Sequence, residues 1–309
     1  MKVESMEPVP EPFSRDCPDL HLRADGETSL SLWWTEVPSV EGEKTACLGH
    51  FSAKSREQAV ELLGVACDEL RSRGRTKIVG PMNGNTWRSY RFVCGGSTEP
   101  PFFMEPHHPS FYPEAFLDAG FTEDARYSSS RVSLEGRRGR NLVRVEERLA
   151  ERGVSIRAIQ VDDFESELEL LYDLSTVAFQ ENYLYTPIPQ EGFCALYQPV
   201  RALVDPEFVL LAEVEGRAVS FVFALPDLAE VRRTGETKTL IAKTLATDPG
   251  WRHLGVGSVL LERVQKSAKE RGFQSVIHAL QHETNLSRKI TSRQDGVILR
   301  EYALYSREL

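Results

Sequence analysis

One stretch constrains this chain more than any other: residues 244–272, TLATDPGWRHLGVGSVLLERVQKSAKERG. Its apolar start reads as a strand ending near Thr247, and Asp248-Pro249-Gly250 reads as a turn. Residues 256–271 then carry apolar side chains at the helical period, and Gly272 is placed to cap them. Between turn and helix lies Arg252-His253-Leu254-Gly255-Val256-Gly257. The first amides of a helix lack intrahelical partners and point outward, and the helix dipole adds partial positive charge there. Glycines lack the Cβ atom that would keep an anion away from the backbone, and an arginine adds a charge-assisted donor. The segment therefore predicts a site for a pyrophosphate-sized anion. A Rossmann fingerprint would need a third glycine where Leu260 stands, and no G-x-x-x-x-G-K-[ST] string occurs. The plain alternative is a tight turn ahead of an ordinary amphipathic helix.

The rest of the chain repeats this plan. With 309 residues, length favours two domains. Strands are expected near 20–23, 30–37, 46–51, 76–79 and 131–134, with helices at 55–73 and 113–119. In the second half, strands are expected at 154–159, 208–214, 218–225, 239–247, 275–280 and 297–305. Helices are expected there at 164–180, 256–271 and 286–293. Superposing Gly74 on Gly272 sets Leu62, Leu63 and Ala66 on Leu260, Leu261 and Val264, and Ile78 on Val276, the mark of an internal duplication. The expected division is a flexible arm over 1–19, a first domain over 20–140 and a second over 141–309. The charged stretch 135–140 is the junction, read as a solvated linker, and a helix is expected at 141–152.

Composition narrows the class of partner. The net charge of −9 argues against non-specific nucleic-acid binding, which depends on neutralising phosphates. Five widely spaced cysteines without a C-x-x-C predict reduced thiols. The acidic start is no signal peptide, and no apolar run is long enough to span a bilayer. A soluble cytoplasmic protein, monomer or homodimer, with no membrane partner, is the expectation.

The string 252–257 resembles the acyl-CoA segment of the GNAT superfamily of N-acetyltransferases, [QR]-x-x-G-x-[GA], through Arg252, Gly255 and Gly257. The resemblance implies an α/β chain of two GNAT-like mixed β-sheet domains with flanking helices, the second catalytic. It implies acetyl-CoA as co-substrate and transfer of the acetyl group to an amine of a small-molecule or peptide acceptor. By the same resemblance, Arg252, His253, Leu254, Gly255, Val256 and Gly257 hold the pyrophosphate, and Ser258 is a further cofactor-binding residue. Leu245, Ala246 and Thr247 pair with the pantetheine arm, and Asn285 opens the last helix in the family's N-x-x-[AS] position with its register shifted. The tyrosine that many members use as general acid has no counterpart in that helix, where counting forward lands on Thr291 or Ser292. Tyr302 and Tyr305 are the remaining candidates for the acid. Glu283, His282 and Glu213 are the candidate bases that would keep the amine neutral. Two other readings stay open: a non-catalytic acyl-CoA sensor or scaffold, and an acyl or aminoacyl transferase with a larger donor.

The first half resembles the same domain without its cofactor loop, since Lys54, Glu57 and Ala59 stand where Arg252, Gly255 and Gly257 stand later. Its loop 80–91, rich in amides, aromatics and arginines, is either an acceptor contact between domains or a structural turn. His278, His282 and Glu283 lack a third ligand at metal spacing, so no metal is expected. His107-His108 reads as surface loop, Asn285-Leu286-Ser287 as a sequon without a secretion signal, and Trp33-Trp34 as core packing on both faces of a strand.

Overall fold

The computed structural model describes residues 2–40, 42–136, 139 and 142–309. Residues 137, 138 and 140 of the junction expected at 135–140, and residue 141 at the start of the helix expected at 141–152, lie outside the described residues.

The first half contains β1 (Glu4–Met6), β2 (Leu20–Arg23), β3 (Ser29–Trp33), β4 (Thr45–Ser52), α1 (Arg56–Ser72), β5 (Lys77–Gly80), β6 (Phe92–Gly96), α2 (Tyr112–Asp118) and β7 (Thr122–Ser133). After α3 (Val143–Glu151) the second half runs β8 (Ser155–Ala158), α4 (Phe164–Ala178), α5 (Gln190–Tyr197), β9 (Val209–Val214), β10 (Arg217–Pro226) and α6 (Leu228–Thr234). It continues with β11 (Thr239–Thr247), α7 (Val256–Glu270), β12 (Ser275–His282), α8 (Ser287–Ser292) and β13 (Val297–Glu308). The periodicity expectations place most of these within two or three residues. Four elements were not foreseen: β1, β6, α5 and α6 are short or punctuated by glycine and proline. The strand expected at 131–134 is instead twelve residues long. Its centre is Ser128-Ser129-Ser130, polar in sequence yet buried in the sheet. Ser129 explains why: its Oγ accepts from the Leu280 amide at 2.9 Å and lies within hydrogen-bond distance, 3.0 Å, of Tyr302 Oη.

The strands form one sheet in the order β1-β2-β3-β4-β5-β13-β7-β12-β11-β10-β9-β8, with β6 on β13. The last strand of each half has crossed over. β13 pairs antiparallel with β5 of the first half, β7 pairs antiparallel with β12 of the second, and the two crossed strands pair with each other from Val297↔Arg131 to Ser306↔Thr122. The exchange reaches the cores. Ala303 and Tyr305 of β13 lie in the apolar cluster under α1 and α2, whereas Leu134, just past β7, lies in the cluster under α7. A cut at residue 140 divides the sequence but not the sheet. Residues 2–19 are tied down rather than hanging free: β1 pairs with β2, and Asp16 meets His50 Nε2 at 2.8 Å and Arg88 Nε at 3.3 Å.

The duplication shows in local geometry. Gly74 and Gly272 both adopt left-handed φ, +69° and +87°. Each follows its helix with the same closing bonds: Arg75 N–H to Leu70 C=O, and Phe273 N–H to Ala268 C=O, both 3.0 Å. Trp33 packs into the central cluster and Trp34 against the α1 cluster, one ring on each face of β3.

Candidate acyl-CoA cleft

Strand β11 positions the site. Along one edge it pairs with β10 up to Ser220↔Thr247. Along the other it pairs in parallel with β12 only from Thr239↔Ser275 to Ala242↔His278. Beyond Ala242 the two strands part, leaving the backbone of 243–247 without a strand partner on that edge. A bulge against β10, between Phe223 and Ala224, falls at the same point and takes Lys243 out of the ladder.

The start of α7 lies against the far end of this edge. Gly255 sits at φ +85°, a left-handed conformation that suits glycine, and no side chain caps the helix. The first helical bond there is Val259 N–H to Gly255 C=O at 3.1 Å, so the amides of Val256, Gly257 and Ser258 lie ahead of it. A Cβ on Gly257 would come within 3.1 Å of Thr247 Oγ1 and 3.4 Å of Leu245 Cδ1, which shows how closely helix and strand approach.

Between them opens a cleft of about 530 Å³. Leu245, Ala246, Thr247, Arg252, His253, Gly255, Gly257, Ser258 and Asn285, all expected at the site, line it together. Leu254 and Val256 turn their side chains into the α7 core, Val256 completely, leaving only their backbone for a ligand. Arg252 ties the end of α4 to the end of β11: its guanidinium donates to Ala178 C=O at 2.7 Å, to Glu181 at 2.7 Å and to Thr247 C=O at 3.4 Å. Lys289 and Arg293 add two more cations to the lining, so the cleft has a cationic side despite the chain's net acidity.

The same cleft contains His282, Thr284 and Tyr183. Burial, the larger effect, holds His282 below the usual histidine value of 6.5, so the ring is neutral near pH 7. Its Nδ1 lies 2.8 Å from Thr284 Oγ1 and 3.3 Å from the Thr284 amide, and its ring packs edge-on to Tyr127. Tyr183 Oη donates to Asp124 at 2.5 Å, and burial together with that carboxylate pushes the phenol up. Sequence reasoning passed over Tyr183. It lies in an irregular loop after α4, where no periodicity marks it, and it reaches the cleft only because α4 packs across β10 and β11.

The other candidate acids and bases do not line the cleft. Tyr302, proposed as the acid, is fully buried; its hydroxyl donates to Glu105 at 2.5 Å and lies 3.0 Å from Ser129 Oγ. Burial, with Glu105 beside it, raises its phenol far above the usual value, so it has neither access nor readiness to protonate a leaving thiolate. Tyr305 is equally buried, in the first-half core. Glu283 is exposed beside the cleft without lining it, and its amide donates to Arg126 C=O. Glu213 sits across the sheet in an ion pair with Arg157 at 2.5 Å. Thr291, where the sequence resemblance counted for a tyrosine, is buried, donating to Gln281 at 3.0 Å.

The first half has the same splay, filled. Parallel pairing of β4 with β5 stops at Cys47↔Val79. The chain's own Met82 and Asn83 then occupy the gap: the Met82 amide donates to Leu48 C=O at 2.6 Å, and Asn83 Oδ1 accepts from the His50 amide at 2.9 Å. A Cβ on Gly49 would lie 2.3 Å from Asn83 Oδ1. The start of α1 is closed as well, with Ser55 Oγ accepting from the Gln58 amide at 3.3 Å. From the same loop, Trp87 reaches the second half, packing on Phe179 and Phe193 and donating to Thr186 C=O at 2.7 Å.

A model of the GNAT acetyltransferase family matches residues 168–289. A bacterial ceramide synthase of Caulobacter vibrioides is 24% identical over 190 residues, covering 59% of this chain and 48% of that protein. This chain therefore spans about half the length of that relative. Among solved structures, a GCN5-related N-acetyltransferase from Sphaerobacter thermophilus superposes with TM-score 0.54 at 12% identity, covering 91% of this chain and 76% of that one. A tandem GNAT protein from the clavulanic acid biosynthesis pathway superposes with TM-score 0.51 at 13% identity, covering 96% and 86%. No helix among the described residues is long and apolar enough to cross a membrane.

Proposed function

We propose, from the GNAT-family domain that residues 168–289 carry, that this chain is an acyltransferase moving an acetyl group from acetyl-CoA to the amine of a small-molecule or peptide acceptor. The observation that carries the reading is the meeting of two unsatisfied backbone surfaces in one cleft: the uncapped glycine start of α7 and the free edge of β11. The amides of Val256, Gly257 and Ser258 offer donors to a pyrophosphate, with Lys289 and Arg293 at hand for further phosphate charge. The free edge at Leu245–Thr247 suits the amides of a pantetheine arm, which leads the thioester toward the point where β11 and β12 part.

The acceptor amine attacks the thioester carbonyl. A nitrogen–carbon bond forms, the carbon–sulfur bond breaks, and the amine gives up a proton. Neutral His282 takes that proton through the Thr284 hydroxyl, which touches its Nδ1 and lines the cleft. The thiolate leaves toward the cationic side of the cleft. We read the first half, its splay filled by Met82 and Asn83, as a copy that binds no acyl-CoA. The free thiols of all five cysteines fit a cytoplasmic setting.

A longer acyl donor is the second reading. It is favoured by the name of the Caulobacter relative. The apolar cavity beside the cleft, lined by Phe164, Leu168, Phe193, Phe221 and Thr244 and sharing Phe179 as a wall, holds only about 40 Å³ and would have to open to take a longer chain.

Thermal melts with acetyl-CoA and with longer acyl-CoAs test both. A ligand at about 100 times its Kd stabilises the native protein by roughly 2.7 kcal/mol. The wild type should show that shift and Gly257→Glu should lose it, because the carboxylate would crowd Thr247 and repel phosphate. A folded wild type that responds to no acyl-CoA would overturn the assignment.

A further inference from the structure

Behind the cleft, where β11 and β12 part, two cations stand without a counter-ion. Arg91 is 7% exposed. Its guanidinium lies over the rings of Tyr90 and Tyr127, 3.8 Å and 4.2 Å from their centres. One donor reaches Leu280 C=O at 3.0 Å, but its Nε is buried with no hydrogen-bond partner. Both ends of that contact lie in the left-handed backbone region, Arg91 at φ +73° and Leu280 at φ +57°, which side-chain-bearing residues seldom adopt without cause. Lys243, bulged out of β11 at the apex of the splay, comes directly after the last β11–β12 pair, Ala242↔His278, two residues short of the Leu280 that Arg91 holds, and is only partly exposed. Burial first and the Arg91 charge second bring its ammonium down to about 7. Among the described residues, neither side chain forms an ion pair.

An unpaired buried guanidinium with an idle donor is costly, and a second cation beside it compounds the cost. Any anion entering this space would meet an idle Arg91 donor and a lysine that regains its full charge. The place is specific too. Leu245–Thr247 lead from the α7 amides toward Lys243, so the apex lies at the thioester end of the cleft, where an acceptor must wait. Arg91 belongs to the first half and Lys243 to the second, so the site exists only where the halves meet.

We propose that Arg91 and Lys243 form a carboxylate-binding site that anchors the acceptor, making the acceptor an amine that also carries a carboxylate. The assignment of the cleft to acyl-CoA is its premise.

The test uses acetate and its neutral isostere acetamide as probes in thermal melts at constant ionic strength, on wild type and Lys243→Met. The methionine keeps the bulk of the side chain and removes a poorly solvated charge, so the variant should fold. Acetate should raise the wild-type Tm above the acetamide and chloride controls, and in Lys243→Met its apparent affinity should fall by about tenfold or more. Acetate acting no better than acetamide on the wild type, or equally on both proteins, would overturn the proposal. The acetyl-CoA shift is recorded in the same series. Its presence in Lys243→Met shows the cleft intact, and its absence from the wild type would count against the transferase reading separately from the carboxylate result.

Discussion

The two splayed strand pairs of this molecule share one fold and reach opposite outcomes. Where β11 and β12 part, the edge of β11 is bare, and the helix beyond it starts on glycines with its amides uncapped. Where β4 and β5 part, Met82 and Asn83 fill the gap, Ser55 caps the helix, and Lys54 is drawn to Asp25 and Glu27 at 3.4 and 3.3 Å. A strand edge and a helix start are backbone hydrogen-bonding surfaces that must be satisfied by something. The first half satisfies them with its own chain; in the second, among the described residues, they meet no strand partner and no side-chain cap. One copy of the repeated unit is thus closed on itself, while the other keeps an open cleft.

The largest effect should follow loss of His282, the proton acceptor proposed for the open half. His282→Gln is expected to lower turnover roughly 10²- to 10⁴-fold. His282 must be neutral to act and its value lies below 6.5, so wild-type activity should fall as pH drops below that point. The pH–rate profile of the variant should lack that acid limb, and an unchanged profile would remove His282 from the chemistry.

The next substitution attacks the filled half. Gly49→Ala drives a methyl into Asn83 and the Met82 carbonyl and should cost about 3 kcal/mol in denaturant unfolding, while any acetyl-CoA melt shift persists. A variant that unfolds normally but loses that shift would mean the first half takes part in the site. Tyr302→Phe should cost about 2 kcal/mol, since Glu105 loses one of its donors, with turnover unchanged. A selective loss of kcat would return Tyr302 to the reaction. Smallest of all, Ser55→Ala removes the α1 cap for about 1 kcal/mol and should leave ligand binding alone.

Much of the fold was legible in the chain. Helices α1, α4 and α7 announce themselves by apolar residues at the helical spacing, and the Gly74–Gly272 correspondence is a true structural repeat in backbone angle and capping bonds. The strand–turn–glycine–helix signature carried the cleft because backbone chemistry there depends on local residues. Catalytic assignment fared worse for a physical reason. Tyr302 was chosen by position along the chain, whereas access is set by packing, and β13 buries it in the half to which it does not belong in sequence. Tyr183 and the Arg91–Lys243 pair carry no local signature at all, because the elements that bring them together are far apart in sequence.

The sequence by itself determined the elements, the duplication and the glycine start of α7, since periodicity, capping and the lack of a Cβ act within a few residues. Only the tertiary structure decided that β7 and β13 change places, that one splay is filled and the other open, and which side chains reach the cleft. Those outcomes rest on competition between distant segments for the same buried hydrogen-bonding groups, which no short stretch of sequence can decide.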